Sequence, residues 1–185
     1  MVKKVNQSRK KETQKKLKLS PPLIVLVIVI IAAAGYLIYE NFFKSKVTEV
    51  QEYFFTKEGE LSFTDSTGNL IKKVDLEIAD SEYDRQLGLM FRRSMTENQA
   101  MLFIFPYERI QSFWMRNTNI SLDMIFVNKD KKIITIHKNT RILSDQSYPS
   151  SEPAMYVVEV IAGFTDKYNI KVSDRIEWID YKINK

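Results

Sequence analysis

Between Leu23 and Tyr39 the chain "LIVLVIVIIAAAGYLIY" carries no charged residue over seventeen positions. As a helix rising about 1.5 Å per residue it spans roughly 26 Å, close to the apolar thickness of a bilayer once Phe42 and Phe43 add an interfacial end. A soluble domain has little use for a helix apolar on every face, so the segment reads as a transmembrane anchor over residues 21–43. Residues 1–20 hold eight Lys/Arg and one Glu. That asymmetry keeps the N-terminus in the cytoplasm and sends everything after Glu40 to the other side. A cleaved signal peptide is the alternative, because Ala32-Ala33-Ala34 offers a small-residue cleavage pattern. The uncleaved anchor is favoured because apolar character continues through Tyr36 to Tyr39.

The same partition decides what the net charge of +5 means. With the tail set aside, twenty Lys/Arg face twenty-two Asp/Glu. The basicity belongs to the tail, the body lacks the cationic surface that tracks phosphates, and nucleic acid is not an expected partner. There is no Cys in the chain, so neither a lipid-modified cysteine nor a disulfide enters the argument.

After a polar tether over 44–53, residues 54–185 have the punctuation of an all-β domain. "ELSFTD" and "LIKKVDLEIAD" flank a turn in which Gly68 and Asn69 can take positive φ. Val74, Leu76 and Ile78 alternate with polar residues, one face for the core and one for water. Further strands are expected at Met101–Phe105, Ile110–Asn117, Leu122–Asn128, Ile133–His137, Met155–Ile161 and Arg175–Ile179, with a hairpin turn at Asn128–Lys131. "SEYDRQLGLMFRR" switches to helical spacing, with Tyr83, Leu87, Met90 and Phe91 on one side, Ser81 and Asp84 as a capping pair, and Arg92 and Arg93 in the last turn. A second single turn is expected near Thr165–Tyr168. The expected architecture is a compact β-sandwich or jelly-roll-like barrel with one or two short helices.

The chemistry available to such a body is narrow. Phosphate-binding, dinucleotide, zinc-protease and serine-hydrolase motifs are all missing from the sequence. Asp123 and Glu159, each set within an apolar strand, are the best candidates for a pair doing acid/base work, as in an envelope hydrolase; the competing account is that each is a satisfied structural carboxylate. Met115 with His137 suggests a copper-binding domain, against core filling for the methionine and a strand-end position for the histidine. No cofactor is expected.

The polar cluster in "FWMRNTNISLDMIF" points elsewhere. If Ile110–Asn117 and Leu122–Asn128 form a hairpin, Trp114, Arg116, Asn117, Thr118 and Asp123 gather at one end, within reach of Arg92. An aromatic platform beside guanidinium, amide and carboxylate groups suits a sugar or small polar ligand. The structural alternative is a hydrogen-bonded corner in which Asp123 pairs with Arg92 or Arg116.

The blocks "LGLMFRRSM", "AMLFIFP", "FWMRNTNISLDMIFV" and "YVVEVIAG" followed by "NIKVSDRI", in that order, resemble the domain of unknown function one-ninety-two, an uncharacterised and often membrane-attached family. The resemblance covers about Leu76 to Ile179. It implies a mostly β fold of sandwich or jelly-roll type behind a signal or anchor segment, and no established activity. It marks Gly88, Leu89, Met90, Arg92, Met101, Phe103, Phe113, Trp114, Met115, Asn117, Thr118, Leu122, Asp123, Glu159 and Gly163. Departures fall at Ser121, where the family usually has Pro, at Ala100, where it usually has Gly, and at Asn169 and Ser173, where Gly is common.

The expectation is a single-pass protein, held in the membrane by residues 23–39. Its extracytoplasmic domain binds an envelope glycan fragment or a partner protein, and the reading leans away from an enzyme. A reporter enzyme active only outside the cytoplasm, fused after Lys185, is expected to be active; an inactive fusion with a protected C-terminus would refute the topology. The mass of the mature chain separates anchor from signal peptide, since cleavage would remove residues 1–34.

Overall fold

The computed structural model describes residues 20–42 and 53–182. Residues 1–19 of the basic tail, Phe43, residues 44–52 of the tether expected over 44–53, and residues 183–185 lie outside the described residues. Chain contacts divide the protein into two units, Met1–Val50 and Gln51–Lys185.

In the first unit, helix α1 runs from Pro21 to Phe42. Two prolines open it at the only turn that tolerates them, where backbone N–H groups have no intrahelical partner. The Ser20 carbonyl accepts from Leu23 N and Ile24 N at 2.9 and 3.1 Å. Pro21–Glu40 is long and apolar enough to cross a membrane, with a mean hydropathy of 2.6.

The second unit is built on strands β1 (Gly59–Thr64), β2 (Leu70–Ala79), β3 (Gln99–Arg109), β4 (Ser112–Phe113), β5 (Leu122–Val127), β6 (Ile133–His137), β7 (Tyr148–Pro149), β8 (Ala154–Ile161) and β9 (Arg175–Asp180), with short helices α2 (Glu82–Leu87) and α3 (Phe164–Lys167). Seven strands form one mixed sheet in the order β6-β5-β8-β3-β2-β1-β9, and β4 with β7 forms a small second sheet. β1 and β2 are the expected hairpin. Gly68 takes positive φ there, at 92°. Asn69 contributes through hydrogen bonds instead: its N and Nδ2 both donate to the Asp65 carboxylate, at 2.9 and 3.0 Å.

Three expectations need correction. The sheet is neither a two-sheet jelly roll nor a closed barrel. The segment from α2 to residue 98 carries the chain back across, so that β3 runs parallel to β2, a pairing that no hairpin can make. Edge strands β6 and β9 form no ladder with each other; the chain around their ends meets at an isolated bridge between Lys132 and Arg175, with Ile133 N donating to Asp174 O at 2.8 Å and Ile176 N to Lys131 O at 3.0 Å. Second, α2 stops at Leu87 rather than running to Arg93, because Gly88 adopts φ 48° and its N–H turns back to Asp84 O. Arg92 and Arg93 therefore lie beyond the helix. The capping pair is as expected, with Asp84 N donating to Ser81 Oγ at 3.0 Å. Third, Ile110–Asn117 is strand only at Ser112–Phe113, which pairs with Tyr148–Pro149 rather than with β5.

Two apolar clusters hold the sheet. On one face Leu61, Phe63, Val74, Leu76, Leu102, Val158 and Val160 pack with Phe164 and Ile176. On the other, Met101, Phe103, Leu122, Met124, Phe126 and Val157 are covered by Leu89, Met115 and Ile120 from loops and by Tyr148 of β7. Every residue of β5 is buried, as expected of a central strand covered on both faces.

The departures from the family pattern at Asn169 and Ser173 have a backbone meaning. Both adopt positive φ, 54° and 82°, in the turns leading into β9. Glycine takes that conformation at no steric cost, whereas a side chain there costs about 1–2 kcal/mol, less for Asn. Ser173→Gly is therefore expected to stabilise the domain by roughly 0.5–1 kcal/mol in urea unfolding, after allowance for the freer unfolded chain. A loss of stability would refute the strain argument.

Candidate functional site

The site starts with an alternation. Phe113 turns inward and meets the rings of Phe103, Phe105 and Phe126 edge-on, at centroid distances of 5.0, 6.1 and 5.8 Å. Met115 is buried and its N–H donates to Ser144 O at 3.0 Å. Trp114, between two inward anchors, faces out and keeps 48% of its surface open. The Arg116 guanidinium lies 4.1 Å from its ring centroid, and Nε donates to Asp145 Oδ1 at 2.7 Å.

Trp114 and Arg116 form one wall of an open groove of about 840 Å³. α2 supplies Glu82, Arg85 and Gln86, and the end of β3 supplies Phe105, Tyr107 and Arg109. Arg85 is held over the Phe105 ring at 5.6 Å, and its Nη1 donates to the Asp80 carbonyl and to Ile104 O, the latter at 2.9 Å. Arg109 is exposed, and its side chain has no ion pair or hydrogen bond among the described residues. Three guanidiniums against the single carboxylate of Glu82 give the groove a positive lining beside apolar rings.

Beneath the groove lies a small cavity of about 40 Å³ that shares Arg85, Gln86, Met90, Phe113 and Trp114 with it. Its other walls are Leu87, Gly88, Leu89, Phe103, Thr118 and Glu159. Glu159 on β8 pairs with Met101 of β3 and Met124 of β5, so its side chain stands between two thioethers. It is 4% exposed, and among the described residues no group donates a hydrogen bond to it. Burial pushes its carboxyl up to about 8, while the positive charge of Arg92 acts in the opposite direction.

The remaining expected residues are elsewhere or have other duties. Asp123 is fully buried and pairs with neither Arg92 nor Arg116. It accepts from Asn139 N at 2.9 Å, Gly163 N at 3.3 Å, Thr165 N at 2.9 Å and Thr165 Oγ1 at 2.6 Å. Asp123 is the cross-strand partner of Val160, and Glu159 that of Met124. Consecutive residues on a strand alternate faces, so the two carboxyls point to opposite sides of the sheet and form no acid/base pair across a cleft. Arg92 is buried on Glu77, Nη2 to Oε1 2.7 Å, in a separate cavity of about 480 Å³ near Glu58 and Lys182. Glu77 Oε2 and Arg92 Nε are buried there without partners.

Asn117 adopts φ 55° and lends its carbonyl to Phe91 N at 2.8 Å, a backbone role. Thr118 is buried on the wall of the small cavity, its Oγ1 donating to Arg116 O at 3.2 Å. Of the copper candidates, Met115 Sδ accepts from Thr140 Oγ1 at 3.2 Å. His137 Nε2 lies 2.7 Å from Pro149 O, which can only accept, so that nitrogen carries the proton. The ring packs edge-on against Phe126 and Tyr148.

The fold thus keeps Trp114 and Arg116 at the groove, puts Thr118 and Glu159 together beneath it, and removes Asp123, Arg92 and Asn117. Sequence reading missed Arg85, Arg109 and Tyr107, which come from α2 and the end of β3. Their only sequence signal is a polar helix face and a Pro-Tyr break at the end of an apolar strand.

A family model for DUF192, described as an uncharacterized ACR, matches residues 63–178. The chain belongs to the DUF192 family. It is similar to a UPF0127 protein of Pyrococcus furiosus, 29% identical over 111 residues that make up 57% of this chain and 88% of the relative. A UPF0127 protein of Pyrococcus abyssi is 30% identical over 109 residues, 56% and 86% of the two chains. Among solved structures, a Sinorhizobium meliloti protein described as a candidate transcription regulator superposes with a TM-score of 0.62 at 34% identity, covering 65% of this chain and 92% of that one. A Novosphingobium aromaticivorans protein of unknown function gives 0.61 at 30%, covering 64% and 84%.

Two outcomes follow from the two carboxyls. Asp123→Asn turns one acceptor oxygen into a donor facing backbone N–H groups, and is expected to cost about 1–3 kcal/mol in chemical unfolding; an unchanged stability would refute the anchoring role. Glu159 behaves oppositely. Its folded value lies above the ordinary 4.5, so between about 5 and 8 the native state keeps a proton that the unfolded chain has released. Its contribution to stability therefore falls as pH rises through that window, by up to about 1.4 kcal/mol per unit, and levels off above it. Glu159→Gln is expected to remove that slope, which unfolding curves collected from pH 5 to 9 will reveal.

Proposed function

We propose that the chain is a membrane-anchored binding module whose C-terminal domain works outside the cytoplasm and takes an anionic saccharide or similar envelope fragment without transforming it. The observation that carries this reading is the groove: an open Trp114 ring, three guanidiniums and one carboxylate around a floor of apolar rings. Aromatic faces suit the apolar side of a sugar ring, and Arg forks suit carboxylate or phosphate oxygens. The anchoring half of the proposal rests on α1 and on the basic residues before it. The non-catalytic half is supported by the opposite facing of Asp123 and Glu159 and by the hydrogen bonds that occupy Asp123.

The regulator description of the Sinorhizobium protein is not carried over. The body here bears twenty Lys/Arg against twenty-two Asp/Glu once residues 1–20 are set aside, a poor balance for binding nucleic acid.

The test is calorimetric titration of the full-length protein in detergent micelles against hexuronate oligomers, hexose phosphates and uncharged oligosaccharides of matched length. Anionic sugars are expected to bind, and uncharged ones to bind at least tenfold more weakly. Trp114→Ala and Arg109→Ala are expected to abolish binding while shifting stability by no more than about 0.5 kcal/mol, since both side chains are exposed. Binding that survives both substitutions would move the site elsewhere.

A further inference from the structure

The floor of the groove carries a more specific requirement than its rim. Glu159 is 4% exposed, its carboxyl has no hydrogen-bond donor among the described residues, and it lines a small cavity that Trp114 also lines. A carboxyl kept protonated by burial offers one O–H donor and one carbonyl acceptor. Across the same cavity, Thr118 Oγ1 spends its proton on the Arg116 carbonyl and retains acceptor capacity. The other walls include Leu89, Phe103 and Phe113, which offer no polar side-chain atom.

A guest in that space must be small, since about 40 Å³ holds little more than a hydroxymethyl group. It must also both give and accept a hydrogen bond. An ammonium group has to pass Arg85, Arg109 and Arg116 and can only donate. A carboxylate or phosphate can only accept, so it could meet the Glu159 O–H but would give nothing to Thr118 Oγ1. A neutral hydroxyl satisfies both conditions, accepting from Glu159 and donating to Thr118. At the rim, Arg116 spends only Nε and Arg85 only Nη1 on protein partners, and Arg109 spends none. Guanidinium N–H groups thus remain for the oxygens of one phosphate, more than a single carboxylate can use.

We infer, resting on the groove reading above, that the ligand is a phosphorylated hexose: its phosphate meets Arg85, Arg109 and Arg116, its ring lies along Trp114, and its hydroxymethyl group enters the pocket between Glu159 and Thr118. Glu159 is then the residue that selects a hexose over its 6-deoxy counterpart, because a methyl group in the pocket leaves the buried carboxyl without a partner.

The test uses the full-length protein in detergent micelles and titrates the gluco-, galacto- and manno-hexose 1-phosphates alongside their 6-deoxy counterparts. At least one hexose 1-phosphate is expected to saturate the protein, with its 6-deoxy form at least tenfold weaker. Glu159→Gln keeps a donor and an acceptor and is expected to retain most of that preference. Glu159→Leu is expected to erase the preference while leaving the residual affinity common to both sugars. Thr118→Val provides a second route to the same loss should the leucine variant fail to fold. The methyl phosphodiester of the preferred hexose is titrated in parallel, because a free phosphomonoester and a chain-borne phosphodiester present similar oxygens; the tighter of the two names the source. Equal binding of hexose and 6-deoxyhexose phosphates overturns the hydroxyl subsite and leaves the groove intact. A panel in which only hexuronates bind does the same, and failure of every anionic sugar overturns both readings.

Discussion

One carboxylate sets the arrangement of the C-terminal unit. Asp123 sits near the start of β5 with no access to water and collects four hydrogen bonds from the segment after β6, the turn after β8 and the start of α3. An ionised carboxylate in such a place is tolerable only when its lone pairs are occupied, and backbone N–H groups are the strongest donors a fold can direct at it. By binding parts of the chain up to 42 residues apart it fixes where β5 lies against β8. That register turns Glu159, one position along β8 from the partner of Asp123, to the other face of the sheet. A carboxyl with four protein donors and a carboxyl with none among the described residues are therefore two consequences of one alignment.

The groove shows how a surface of modest charge can select for anions. Arg116 is stacked on Trp114 and tied to Asp145, and Arg85 is tied to two carbonyls. Guanidiniums positioned in this way lose little rotamer freedom when a ligand arrives, so more of each contact appears as affinity. Arg109 lacks such restraint and gives up the most rotamer freedom to an incoming anion.

Much of this fold was legible in the sequence because it rests on local chemistry. The alternation of Val74, Leu76 and Ile78, the turns at Gly68 and Asn128, and the Ser81 cap each involve residues only a few positions apart, and each appears where its pattern put it. The parallel pairing of β2 with β3 was not legible, since no residue in either strand announces its neighbour. The end of α2 at Gly88 was signalled by the glycine, but the apolar spacing of Met90 and Phe91 concealed it. At the site, Trp114 and Arg116 were found because they adjoin in sequence. Arg85 and Arg109 were missed because only the tertiary arrangement brings them to Trp114. Asp123 was placed in the wrong company for the related reason that the hairpin assumed to hold it does not exist.

The pairing of β1 with β9 also bears on the order in which the domain can be assembled. β1 begins at Gly59 and its outer neighbour ends at Asp180, with Tyr181 N bonded to Glu58 O at 2.9 Å. A ribosome makes these partners at opposite ends of the body, so β1 waits with an unpaired edge while more than a hundred residues are added. A nascent chain halted before Arg175 presents β1 as an open sheet edge. The sheet is thus completed only when β9, the last of its strands in chain order, has been made.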